Sequence, residues 1–138
     1  MRRYRVLFVC IGNACRSQMA EAFARRYGSD VLIAHSAGLQ PCEMVSPVTE
    51  DLMVEKNIAL DGAYPKGFEQ TGTDYDLIIN MSGLPLPPGI QAPVRDWRVE
   101  DPIWFSREKH AAIRDQIEML VQRLILEFRK EQEARLVR

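Results

Sequence analysis

A short segment near the N-terminus, Cys10-Ile11-Gly12-Asn13-Ala14-Cys15-Arg16-Ser17, gathers a thiol, a glycine and a guanidinium within a few residues. Successive backbone N–H groups in such a loop form a nest for an oxyanion, and a helix opening directly behind it adds its positive end. Gly12 permits the tight curvature, and Arg16 can hold two anion oxygens at once. The same field favours a thiolate at Cys10, to which Ser17 can donate a hydrogen bond. A thiolate ringed by amides and an arginine is equipped to attack the central atom of a tetrahedral oxyanion. The Cys-x5-Arg spacing alone recurs by chance; with Gly-Asn inside it, at a strand-to-helix junction, it is far more specific. The competing reading makes Cys10 a buried strand-end cysteine and Arg16 a surface helix residue.

The elements that must position this loop are legible from period and punctuation. Tyr4 to Val9 is a short β-branched-rich apolar run, the pattern of a buried strand. A helix is expected from about Arg16 to Tyr27, with Met19, Ala20, Phe23, Ala24 and Tyr27 at three- and four-residue spacing and Gly28 as its stop. Val31 to Ala34 reads as a second strand, ending at His35-Ser36-Ala37-Gly38. Ser46 and Pro47 suit the N-cap and first position of a second helix running toward Asn57. Gly62, Pro65, Gly67 and Gly72 mark a loop with room for one short helix. Tyr75 to Asn80 is a third strand, Ser82 to Pro93 a proline-rich loop, and Val94 to Trp97 a weaker fourth strand. From Ser106, Ile113, Ile117, Leu120, Val121, Leu124 and Phe128 form a long amphipathic helix whose charged tail, from Arg129, is expected to fray. Strands alternating with helices indicate one α/β domain over 1–138 with a mainly parallel sheet, in which ligands bind at the carboxyl ends of the strands.

Composition excludes several classes. The chain has 138 residues, long enough for one core without staples, with Lys+Arg 18 against Asp+Glu 19. That balance provides no basic field for nucleic acid or an anionic membrane. Cys10, Cys15 and Cys42 are too few for a secreted disulfide framework, and with only His35 and His110 they build no metal pattern. The apolar run Val6 to Cys10 is shorter than the roughly 7–15 residues of a secretory core, and nothing approaches a membrane span of roughly 20 residues. A cytoplasmic location with reduced thiols is expected.

Cys-Ile-Gly-Asn-Ala-Cys-Arg-Ser, with Asp101-Pro102 far downstream, resembles the low-molecular-weight protein tyrosine phosphatases and the related thioredoxin-coupled arsenate reductases. The resemblance extends through Ser36-Ala37-Gly38, the Asp74-to-Ile78 strand entry, Trp97 and the last helix. It implies a three-layer α/β/α fold with a four-stranded parallel sheet and flavodoxin-like winding. It also implies that Cys10 attacks phosphorus to form a phosphocysteine, while Arg16 and the amides of Ile11, Gly12, Asn13, Ala14, Cys15, Arg16 and Ser17 hold the oxygens. Asp101 would protonate the leaving oxygen and then serve as base toward water; on its own it reads as a turn residue before Pro102. Asn13 and Ser36 match the pair that braces the loop, with Ser17 in support. Cys15 matches a redox partner that protects the nucleophile as a disulfide, and a small core cysteine is the other reading. No metal or organic cofactor is implied. Partners are a phosphorylated protein or small phosphomonoester and phosphate- or arsenate-like oxyanions.

The two chemistries separate after the first attack. The thioredoxin-coupled reductases pass oxidation to two cysteines just after the third strand, where Asn80 to Pro88 holds none. A reductase using an external thiol would not need that pair. Gln18, where the phosphatases more often carry proline, leans toward the reductases. Asn13, Glu21 and Ser36 match a monovalent-cation site of some reductases, against the plainer reading of a solvated Glu21. Phosphatase aromatic walls fall here near Cys42 and at Ile103, leaving Trp104 or Phe105 to supply one. Cys42 is a candidate resolving thiol, and His35 and His110 read as structural or solvated. A silent oxyanion-binding or redox-sensing module would be marked by a lost nucleophile, arginine or acid, and all three are present.

Overall fold

A computed structural model describes residues 2–137. The chain runs β1 (Tyr4–Cys10), α1 (Arg16–Gly28), β2 (Leu32–Gly38), α2 (Pro47–Val54), α3 (Phe68–Thr71), β3 (Leu77–Asn80), β4 (Val94–Asp96), a 3-10 turn (Pro102–Trp104) and α4 (Arg107–Leu136). The sheet is parallel throughout in the order β2-β1-β3-β4. This is the flavodoxin-like winding, whose order reverses between β1 and β3 and opens a crevice at their carboxyl ends. The loop after Cys10 lies at that switch point.

Burial explains why β1 is almost continuously apolar: both of its faces are covered. Tyr4, Val6 and Phe8 point into the larger core with Met19 and Phe23 of α1 and Ile113, Ile117, Val121 and Ile125 of α4. Leu7 and Val9 point the other way, to Ala37, Tyr75 and Ile78 under a thin layer made by Phe68 of α3 and by Leu39, Leu86 and Ile90. Gly28 is required by packing, since a Cβ there would sit 2.6 Å from Ile125. The helix continues into a right-handed Ser29, so Gly28 is a contact glycine and not a left-handed stop.

Several boundaries differ from expectation for identifiable reasons. β2 runs on through His35-Ser36-Ala37-Gly38, paired residue by residue with β1 up to Cys10 and Gly38. β3 begins at Leu77, because Tyr75 turns back to donate its N–H to Thr73. α2 stops at Val54, and Asn57 takes a positive φ of 60° while the Ile58 N–H returns to Met53 O. α4 does not fray at Arg129. Arg129 donates to Tyr27 O and Asp30, and buried Gln132 donates to Arg2 O, so the last turns are tied to the N-terminal half. No helix among the described residues is long and apolar enough to cross a membrane.

Candidate active site

The loop between β1 and α1 is held by its carbonyls. Cys10 O accepts from Leu39 N (3.1 Å), Ile11 O from Gln40 N (2.8 Å), Gly12 O from Cys42 N (2.9 Å), Ala14 O from Ser46 N (3.0 Å) and Cys15 O from Met19 N (3.0 Å). Asn13 O accepts from Gln18 Nε2 at 3.1 Å. No N–H from Ile11 to Ser17 donates to a protein acceptor among the described residues. With every carbonyl from Cys10 to Cys15 committed elsewhere, these amides are the loop's unspent donors, as a nest requires. The backing strand end approaches so closely that a Cβ on Gly38 would meet Asn13 N and Ile11 O at 2.8 Å.

Asn13 is fully buried and takes φ 51°, a left-handed conformation that asparagine tolerates better than most residues. Its Oδ1 accepts from the Lys66 N–H at 3.0 Å, a donor whose identity is unambiguous, which orients the amide. Gln18 Nε2 also reaches Oδ1 (3.0 Å), so Nδ2 faces Ser17 and donates to Ser17 Oγ at 2.7 Å. The Ser17 oxygen is therefore an acceptor toward Asn13, and its own proton is free for Cys10 Sγ, 2.9 Å away. A backbone N–H thus sets, through two side chains, a hydrogen-bond donor on the sulfur.

Arg16 is buried, with its side chain 5% exposed, and is anchored by Nη1 to Met81 O and to Val99 O (2.9 Å). These carbonyls steer the guanidinium without neutralising it. Its Nη2 stands 3.5 Å from Asp101 Oδ2. Asp101 caps the 3-10 turn by accepting from the Ile103 N–H at 3.2 Å, while its side chain remains 39% exposed. The turn role and the placement beside Arg16 coexist. Trp104, at the end of that turn, is 90% exposed, with Ile103 and Phe105 also on the surface.

The expected Asn13–Ser36 brace is indirect. Ser36 is fully buried, but its hydroxyl donates to Glu21 Oε1 and not to Asn13. Glu21 is not a solvated carboxylate: it is buried and paired with Arg25 at 2.6 Å. The Lys66 ammonium lies 3.7 Å from Glu21, 3.4 Å from Ser36 Oγ and 3.4 Å from Tyr64 O. A side-chain cation thus occupies the oxygen cluster that sequence likeness assigns to a monovalent ion. Gln18 and Lys66 are the residues that sequence reasoning missed as braces. Gln18 was visible only as a departure from proline, and Lys66 reaches Asn13 through a backbone N–H that carries no residue-type signal.

The remaining thiols and histidines divide clearly. Cys15 is buried, and burial pushes its thiol pKa up, opposed by the Thr49 and Ser46 hydroxyls. Cys42 is exposed and packs against Gly12, where a Cβ would sit 2.5 Å from its sulfur. His110 is buried with Nε2 2.8 Å from Thr49 Oγ1, and burial lowers its pKa.

Residues 5–84 match the family model described as low molecular weight phosphotyrosine protein phosphatase. The chain belongs to this family. Within and around the low molecular weight phosphatases, it is 36% identical over 126 residues to the glutaredoxin arsenate reductase of Synechocystis sp., covering 88% of this chain and 95% of that one. A solved arsenate reductase in its phosphate binding state superposes with TM-score 0.83 at 35% identity, covering 91% of this chain and 98% of that chain. The YwlE arginine phosphatase from Geobacillus stearothermophilus superposes with TM-score 0.84 at 26% identity, covering 95% of this chain and 96% of that chain. This phosphatase-family chain is thus similar both to proteins named reductases and to proteins named phosphatases.

Proposed function

We propose that the protein is a cysteine-dependent phosphomonoesterase acting through a phosphocysteine. The observation that supports it is the directed chain Lys66 N–H to Asn13 to Ser17 to Cys10, beside a loop whose amides are left for an oxyanion. In this reading the Cys10 sulfur attacks phosphorus and the ester P–O bond breaks, while Asp101 gives its proton to the leaving oxygen. The loop amides and Arg16 hold the three remaining oxygens as charge builds on them. Asp101, now a carboxylate, takes a proton from water as that water attacks phosphorus; phosphate departs and the Cys10 thiolate is restored. Asn13, Gln18 and Ser36 position the loop through their side chains, while the Ser17 hydroxyl donates to the nucleophilic sulfur itself. Substrates are phosphorylated proteins or small phosphomonoesters in the cytoplasm, with Trp104 as a surface contact for the group that carries the phosphate.

A second reading is supported by the reductase named from Synechocystis. Arsenate would occupy the same loop, and because Asn80 to Pro88 holds no cysteine, the reducing thiol would come from outside the chain. Metal-free hydrolysis of p-nitrophenyl phosphate separates the two. Turnover abolished by Cys10→Ser and reduced at least about a hundredfold by Asp101→Asn supports the phosphatase reading. No hydrolysis, together with arsenate reduction that depends on glutathione and glutaredoxin, refutes it in favour of the reductase.

A further inference from the structure

On the far side of the Asn13 brace, a cavity of about 750 Å3 opens between α1, the β2 edge and residues 58–66. Arg5, Arg25, Arg26 and Lys66 line it, with His35 and Tyr75. Its acidic residues are Glu21, whose oxygens already serve Ser36, Arg25 and Lys66, and the exposed Asp61. The Arg5 guanidinium lies over the Tyr75 ring at 5.2 Å, and His35 meets the same ring edge-on at 6.1 Å. Burial is the main cause that lowers the His35 pKa; the Glu21 charge opposes it next, and the charges of Arg25, Arg5 and Lys66 then act with burial. The space is small-molecule sized, aromatic on one wall and positive in field.

We propose that this cavity is a second binding site, for a small polyanion bearing carboxylate or phosphate groups, separate from the Cys10 loop. Its position makes it regulatory. Gln18, on the cavity wall, donates to Tyr64 O at 3.1 Å and to Asn13, while Lys66 donates its backbone N–H to Asn13. An occupant drawn against Lys66 and the 58–66 segment therefore acts on the residue that orients Ser17 toward the nucleophile. The anion also favours the protonated imidazole of His35, so affinity rises as pH falls through the titration of that ring.

The test is calorimetric titration with citrate and, separately, with pyrophosphate, using protein whose Cys10 loop is already filled by orthovanadate. Saturable binding is expected, tighter at about pH 6 than at about pH 8, with an upward shift of the His35 ring titration followed by NMR. Arg5→Gln and Arg25→Gln should each weaken it about tenfold, the effect of losing one charge-assisted hydrogen bond. Two variants are used so that misfolding of one, seen by circular dichroism, leaves the other decisive. Binding of only one of the two probes identifies the anion chemistry and upholds the site. Absence of saturable binding by both probes, binding seen only when vanadate is omitted, or affinity unchanged in a folded variant overturns it.

Discussion

Asn13 carries two separable burdens, a left-handed backbone and a set of buried hydrogen bonds, and two substitutions divide them. Asn13→Gly keeps φ 51° without strain but removes the acceptor of the Lys66 N–H and the donor to Ser17. A buried donor left without a partner costs roughly 1–3 kcal/mol. Gln18 retains its bonds to Asn13 O and Tyr64 O and adds little to the loss. Asn13→Ala loses the same bonds and also forces a Cβ-bearing residue without a polar side chain into the left-handed region. Net of glycine's greater freedom when unfolded, that strain adds about 1 kcal/mol. The expected order of stability in urea unfolding is therefore wild type, then Asn13→Gly, then Asn13→Ala, spanning about 2–4 kcal/mol. Inorganic phosphate affinity, read by isothermal titration, should fall in both variants, since both release Ser17 from its orientation. Equal stabilities for the glycine and alanine variants would refute the backbone argument. A glycine variant as stable as wild type would refute the hydrogen-bond argument.

Gly38→Ala introduces a methyl 2.8 Å from loop backbone atoms, so it should cost roughly 1–3 kcal/mol in thermal or urea unfolding and weaken phosphate binding; an unchanged phosphate affinity would show that the loop can yield. Melting of the wild-type protein should be the same in sodium and potassium buffers, because Lys66 already fills the Glu21–Ser36–Tyr64 oxygen cluster, whereas Lys66→Met should be destabilised and then gain stability from potassium. His110 and His35 both have pKa values lowered by burial, so the unfolded chain binds more protons near and below pH 6.5 and stability is full above that value. Unfolding free energy should fall as pH drops from 6.5 through the folded-state titrations, and His110→Gln should flatten that fall.

Strand and helix content was legible because the signals were local. The apolar run of β1, Ser46-Pro47 ahead of α2, and the helical spacing of Ile113, Ile117, Val121 and Leu124 each report a burial pattern that the fold then uses. The boundaries that moved depend on distant partners. β2 lengthens because β1 pairs with it as far as Cys10, and α4 persists because Gln132 and Arg129 find carbonyls at the other end of the chain. The same division applies at the candidate site. Cys10, Arg16 and Ser17 lie in one contiguous segment and could be read together. The carbonyls of Met81 and Val99 that aim Arg16, and the Lys66 N–H that orients Asn13, are backbone groups far away in sequence and have no residue signature.

The spent carbonyls of the Cys10–Cys15 loop also bear on turnover. A loop whose carbonyls are already committed has little to rearrange when a tetrahedral dianion arrives, so under the proposed reaction it would bind the freed product as readily as the phosphoryl end of a substrate. In the proposed phosphatase reaction, recognition of the group carrying the phosphate would come from outside the loop, and inorganic phosphate would compete at each cycle. On that proposal, the rigidity that readies the nucleophile would set a ceiling on rate through product departure.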